Sequence, residues 1–224
     1  KQGNAGTDPA TDFAGTTDNV PFYVRVNDDT IAKFGTAYNV AMGHSLLGGD
    51  YSIALGEINE ATGLVSVAIG TQNIASQQYS TAIGVANQAS GYSSTSIGST
   101  NTTSGDYSRS LGYTSNSIGI SSLTLGSGDS AIGIYSTTIG CGTYAKTDTS
   151  LVVGMFNDTT AVNDFFTVGN GNGYLDRNTA FTILKSGNVG VGTTTPDSTL
   201  HVVGGVAMPD LYESSDGTDS MVVK

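Results

Sequence analysis

Several groups of residues in this chain are of types that do chemistry, and spacing decides each case. Gly187-x-x-Gly190-x-Gly192 and Gly169-x-Gly171-x-Gly173 would cradle a phosphate if they closed a strand and opened a helix. Neither has the dinucleotide spacing and no helical pattern follows, so both read as turn glycines. His44 and His201 are imidazoles of the kind that hold zinc, yet neither has a Cys, Glu or second His at ligand spacing. Cys141, the single cysteine, lies between Gly140 and Gly142 with no histidine or cation nearby to activate its thiol. It permits no intrachain disulfide, so pairing says nothing of the redox compartment. Asp158, Asp164 and Asp176, and further on Asp210, Glu213, Asp216 and Asp219, offer oxygens to Ca²⁺ but follow neither the EF-hand nor the nonapeptide spacing. They read as solvated turns and an acidic tail. The sequence therefore assigns no catalytic residue, no cofactor and no metal.

A larger set of hydroxyls has a different meaning. Ser52, Ser66, Ser80, Ser94, Ser108, Ser122, Ser136 and Ser150 recur every fourteen residues, none with a base beside it. Equivalent serines at a fixed step are a lattice feature. Their hydroxyls are expected to bond backbone groups of the adjoining repeats, because buried polar atoms are satisfied.

The elements that hold such a lattice follow from the same period. A branched residue and a glycine recur in step at Leu55-Gly56, Ile69-Gly70, Ile83-Gly84, Ile97-Gly98, Leu111-Gly112, Leu125-Gly126, Ile139-Gly140 and Val153-Gly154, with Met42-Gly43 thirteen residues before the first. One column holds Ala54, Ala68, Ala82, Ser96, Ser110, Thr124, Thr138 and Val152. At the half-period stand Gly49, Gly63, Gly91, Gly105, Gly119 and Gly133, with Gln77 the departure. Fourteen residues with glycine every seven predict two short strands and two tight turns per coil, glycine supplying the positive φ of each corner. Side chains alternate along a strand, so Ser and Ala share one face and the branched column looks the other way. A helix is excluded, since apolar residues do not recur at three and four and each glycine would cost about 1 kcal/mol. Nine coils at ~4.8 Å make a rod roughly 40 Å long.

Composition agrees with a narrow roll. All seven Phe lie outside the array and no Pro falls between Pro21 and Pro196, as an uninterrupted ladder requires. Each coil has one large aliphatic to bury, worth about 1.5–3 kcal/mol, against about 1–2 kcal/mol for ordering each residue. A lone roll is marginal, and packing the branched stripe on identical chains remedies this; threefold symmetry is one closed solution. The net charge of −11, with Arg109 and Lys146 the only cations between His44 and Gly154, makes nucleic acid and anionic lipid poor partners. No apolar run approaches the ~20 residues of a membrane span, so direct insertion is not expected. The chain begins at Lys1 without a visible signal peptide and is read as a processed piece.

Ser66-Val67-Ala68-Ile69-Gly70, with the near copies Ser52-Ile53-Ala54-Leu55-Gly56 and Ser80-Thr81-Ala82-Ile83-Gly84, resembles the head repeat of YadA-like trimeric autotransporter adhesins. The resemblance covers roughly 39–157. It implies an all-β fold, a left-handed parallel β-roll that associates as a homotrimer, with Leu55, Ile69, Ile83, Ile97, Leu111, Leu125, Ile139 and Val153 in the trimer or roll core. Gly15-Thr16-Thr17-Asp18-Asn19-Val20-Pro21 and the following Tyr23-Val24-Arg25-Val26-Asn27 read as an opening hairpin with its turn at Asn27-Asp28-Asp29. Asp164 to Gly171, Asn178 to Leu184 and Gly187 to Val202 are similar to segments of phage tail fibres and large bacterial surface proteins, and are expected to form a collar. Such a segment often precedes a self-cleaving chaperone, so the chain reads as a matured fibre piece.

The organisation expected is an extended or hairpin segment over 1–35, β-roll repeats over 36–157, collar and neck over 158–205 and an acidic tail over 206–224. The function expected is adhesion or receptor binding by an extracellular trimeric fibre, on a bacterial surface or a virion tail, with a ligand-free spacer as the alternative. Gln77, Tyr79, Tyr92, Tyr107 and Tyr113 are the candidate contacts for a cell-surface glycan or protein. An enzyme built on a solenoid needs a carboxylate or cation cluster on one face. The array holds six scattered acids and two cations, so no enzyme is expected.

Overall fold

The computed structural model describes residues 14–160 and 163–206, all of them strand, turn or irregular chain and none helical. The acidic cluster Asp210, Glu213, Asp216 and Asp219 lies outside the described residues, as do residues 1–13.

The chain opens with an antiparallel hairpin, Phe22–Val26 on Asp29–Phe34. Asn27 and Asp28 both take positive φ, 51° and 63°, as the two-residue turn of a right-twisted hairpin requires. Val40–Met42 then converts the sheet: it is antiparallel to Asp29–Phe34 on one side and parallel to Ile53–Glu57 on the other. Its register sets Met42 against Leu55, which places the thirteen-residue copy in the column.

From there each five-residue strand pairs in parallel with the strand fourteen residues on, through Val67–Thr71, Thr81–Val85, Thr95–Ser99, Arg109–Tyr113, Leu123–Ser127 and Thr137–Cys141 to Leu151–Met155. Parallel strands need a crossover of about a dozen residues or more. Here it contains a two-residue strand, such as Ile74–Ala75 or Gln88–Ala89, and eight of these stack into a second sheet. The main sheet does not stop at the last repeat. Leu151–Met155 pairs in parallel with Asp164–Asn170, which pairs antiparallel with Thr179–Leu184, and Val189–Val191 and Leu200–Val202 follow.

The space between the two sheets is filled by groups of methyl to amide size. Ala54, Ala68 and Ala82 meet Ala61, Ala75 and Ala89 in a core with no solvent exposure, and every serine of the column is buried beside them. The branched column is not in that space. Leu55, Ile69, Ile83, Ile97, Leu111, Leu125 and Val153 are half-buried and Ile139 is exposed, all on the opposite strand face. The roll is narrow because its interior takes only small side chains.

The expectation that glycine supplies the positive φ of each corner holds for one column and is corrected for the other. The glycines after the branched residues do use positive φ, 119° at Gly70, and a Cβ there would also lie 2.1 Å from the carbonyl oxygen of Gly84. The half-period glycines do not. Gly105 has ordinary φ, and what excludes a side chain is contact: a Cβ would stand 2.2 Å from the carbonyl oxygen of Gly119 in the next coil. The left-handed corners are instead held by Tyr51, Val65, Tyr79, Ser93, Tyr107, Ser121, Tyr135 and Thr149, and by Ile58, Gln72, Ala86, Thr100 and Thr114 on the other edge. Each such residue costs on the order of 1 kcal/mol. Stacking offsets this, because each corner N–H donates to a carbonyl one coil back, as Gln72 does to Glu57 and Tyr79 to Leu64.

Candidate binding surface

Three features of the roll could carry function: a tyrosine edge, a branched face and a buried polar ladder. Tyr79 and Tyr107 occupy left-handed corners two coils apart, and Tyr92 lies in the coil between, one position earlier. The rings form a chain, with centroids 5.7 Å apart from Tyr79 to Tyr92 and 5.3 Å from Tyr92 to Tyr107, each pair edge to face. Asp106 Oδ1 accepts the Tyr92 backbone N–H at 2.8 Å, which fixes the middle ring's backbone. Loss of hydration raises the Tyr92 phenol above its ordinary pKa, and its neighbours Tyr107 and Tyr79 add to this. Tyr79 and Tyr107 remain about half exposed, so the edge presents rings with wet hydroxyls. Gln77 is exposed in the turn leading to Tyr79, its carbonyl accepting from Ser80 Oγ at 2.6 Å. Tyr113 does not join them: it ends Arg109–Tyr113, between Ser99 and Ser127, by the other corner column. Of the five candidate contacts, three are thus joined as one surface, Gln77 flanks it and Tyr113 is separate.

The branched face is continuous. Parallel register stacks Leu55 on Ile69, Ile69 on Ile83, and so on through Val153 to Val168. The stripe of large aliphatic side chains thus lies on the outside of a roll whose interior is already filled.

The serine column behaves differently from expectation. Ser52 and Ser150 donate to the carbonyls of Gly49 and Thr147, three residues earlier in their own coil, at 2.6 Å. Ser108 does the same to Gly105 at 2.5 Å, with only a long 3.4 Å approach to Ser117 in the next coil. These hydroxyls close turns and do not bridge coils, because the serine follows the half-period turn and its Oγ reaches the turn's first carbonyl; Ser66, Ser122 and Ser136 Oγ are buried with no hydrogen-bond partner among the described residues.

The bridge between coils is another column, missed from the sequence. Asn59, Asn73, Asn87 and Asn101 are almost wholly buried, each four residues after a branched residue. Asn73 Oδ1 accepts the backbone N–H and the side-chain amide of Asn87, at 3.1 and 3.0 Å. The Asn73 amide itself donates to the carbonyls of Ile69 and Gly84, at 3.0 and 2.7 Å, and to Asn59 Oδ1 at 3.0 Å. Every polar atom of the rung is used. The column continues as Ser115, Asp129, Thr143 and Asn157. The fourteen-residue recurrence of Asn would have revealed its first half; the later change of residue type obscured it.

The remaining chemistry-bearing residues have structural places. Arg177 stacks on the Tyr144 ring at 4.5 Å, lies near Phe156 and Tyr174, and donates to the carbonyls of Gly142 and Asn157, closing the end of the ladder. The buried Asp164 accepts from Thr147 and Thr167 hydroxyls. His44 lines an open cleft of about 360 Å³ between the hairpin and the first coils, with Lys33 and Glu60. His201 pairs with Asp197 at 3.1 Å. Cys141 ends Thr137–Cys141, half-buried between Ser127 and Met155. Gly187 and Gly192 take positive φ in turns between strands.

Residues 61–86 and 89–115 match the family model of the YadA head domain repeat, in two copies. These central coils are therefore similar to the YadA head repeat. No curated protein matches the chain.

Proposed function

We propose that this chain is a segment of a trimeric extracellular fibre of the adhesin type, and that its task is to reach and to hold. The observation that carries the reading is the branched stripe on the outside of a roll whose inside is already full. Each coil adds one half-buried or exposed Leu, Ile or Val, and covering it is worth about 1–2 kcal/mol at the usual area coefficient. Summed over eight coils this is the scale of a stable association. Three sister chains supply the cover, in keeping with the left-handed trimeric rolls that the head repeat implies. The fibre stands on a bacterial surface or a virion tail.

Light scattering on the purified chain tests the assembly. A trimer is expected, and Ile83→Asp or Ile97→Asp should give monomers or unfolded chain. A wild-type monomer with a stable melt would remove the proposal.

Adhesion rather than bare reach is favoured by the tyrosine edge. Tyr79, Tyr92 and Tyr107 keep their phenols at the surface, and a trimer presents them in triplicate, so weak contacts to a glycan or protein add as avidity. The triple variant Tyr79→Ser, Tyr92→Ser, Tyr107→Ser should keep its trimer and lose binding to whole cells or a glycan array. A wild-type chain that binds nothing on either would leave the spacer reading.

A further inference from the structure

Within the buried ladder one rung is a carboxyl. Asp129 has no exposure, and it stands in the column of Asn59, Asn73, Asn87 and Asn101. Its Oδ1 does what the asparagine Oδ1 does, accepting the Thr143 backbone N–H at 2.8 Å and the Thr143 hydroxyl at 2.7 Å. Its Oδ2 takes the place of the amide nitrogen. From the point a Cβ would occupy on the glycine three residues before, the amide nitrogens of Asn59, Asn73, Asn87 and Asn101 lie 3.0–3.1 Å away, and Asp129 Oδ2 lies 2.5 Å away. Each of those nitrogens donates to two carbonyls, four residues before and eleven after, at 2.7–3.0 Å. For Asp129 the corresponding carbonyls are those of Leu125 and Gly140. Oδ2 is buried there and has no hydrogen-bond partner among the described residues.

A carboxylate at that point would set a full negative charge against two carbonyl oxygens in a space shut off from water, an arrangement strongly disfavoured inside a protein. The amide–carbonyl gaps of the other rungs have room for a hydrogen and none for a metal ion. We infer that Asp129 is held in the folded chain as its neutral acid, donating to the carbonyl of Leu125 or Gly140, so that this rung is a proton-binding site inside the roll. Desolvation raises its pKa, and the hydrogen bonds from Thr143 only partly oppose it. The titratable residues of the surrounding coils are Asp106, Tyr107, Arg109, Tyr113, Tyr135, Cys141, Tyr144, Lys146 and Asp148, with Lys146 on the Thr159 carbonyl, Tyr174 against Gly128 and Arg177 on the carbonyls of Gly142 and Asn157. Among the described residues none of them hydrogen-bonds or ion-pairs with Asp129, so no cation stabilises the charged form.

The sign follows. A carboxyl whose folded pKa lies above its unfolded value of about 3.9 contributes stability that is full below that value and is lost as pH rises through the folded pKa. Asp129→Asn supplies permanently the donor that the acid supplies only when protonated. The full chain and this variant should melt together near pH 4. Above it the variant should gain, by about 3–5 °C for each unit the folded pKa stands above 3.9. Infrared spectra at pH 6 should show one protonated carboxyl in the wild type, absent in Asp129→Asn and doubled in Asn101→Asp, which builds a second acid rung. A melting gap that stays constant with pH, or a wild type with no protonated carboxyl at pH 6, would overturn the assignment. If Asp129→Asn fails to fold, the wild-type and Asn101→Asp spectra decide.

Discussion

The early coils of the roll and the later ones share one backbone and differ in what fills it. In the first group the interior is alanine, Ala54 to Ala89, and the rungs are asparagine. In the later coils, from Ser96 on, the same positions hold Ser96, Thr103, Ser110, Ser117, Thr124 and Thr138 beside Ala131 and Ala145, and the rungs after Asn101 are Ser115, Asp129 and Thr143. There the hydroxyls bond one another, Ser110 to Thr124 at 2.7 Å and Ser117 to Thr124 at 3.0 Å. The family match stops at 115, where the amide ladder stops. Strand register is nonetheless identical on both sides. The backbone ladder and the small volume of the interior therefore define the fold, and either methyls or paired hydroxyls satisfy it.

That contrast can be broken most sharply at the rungs. Asn87→Ala would leave the Ile83 and Gly98 carbonyls and the Asn73 side-chain oxygen each short of a donor. A loss of about 4 kcal/mol is expected, since buried unsatisfied groups cost about 1–3 kcal/mol apiece. Ser115→Ala, whose hydroxyl makes only long bonds of 3.3–3.4 Å, should lose about 1 kcal/mol. Denaturant melts at one fixed protein concentration would compare them, and equal losses would remove the distinction between the two halves.

How far the sequence anticipated this division depends on the column. The period, the buried Ser and Ala face and the outward branched face are legible because residue type stays nearly constant at each step. The hairpin is legible from Asn27-Asp28. The left-handed corners are not, because Tyr, Val, Ser, Ile, Gln, Ala and Thr all occupy them, and the stacked N–H bonds that hold them are tertiary. The glycines misled for a related reason. At Gly105 the constraint is a carbonyl in the next coil, which local turn rules do not contain.

A smaller effect sharpens the hydroxyl half. Thr124→Ala removes the partner shared by Ser110 and Ser117 and should cost about 1.5 kcal/mol. In the alanine half, Ala82→Ser should change stability by no more than about 0.5 kcal/mol, within the span of ordinary tolerated substitutions. The new hydroxyl meets the Asn87 carbonyl as Ser96 and Ser110 meet those of Asn101 and Ser115, at 3.3 and 3.2 Å. A large loss there would mean that the two interiors are not interchangeable.

From Ile53 to Met155 each layer of the roll is bonded only to the layers above and below it, fourteen residues away. Duplicating or excising one such unit in a gene would lengthen or shorten the shaft by about 4.8 Å without disturbing either end. Reach is then a heritable quantity adjustable in single steps.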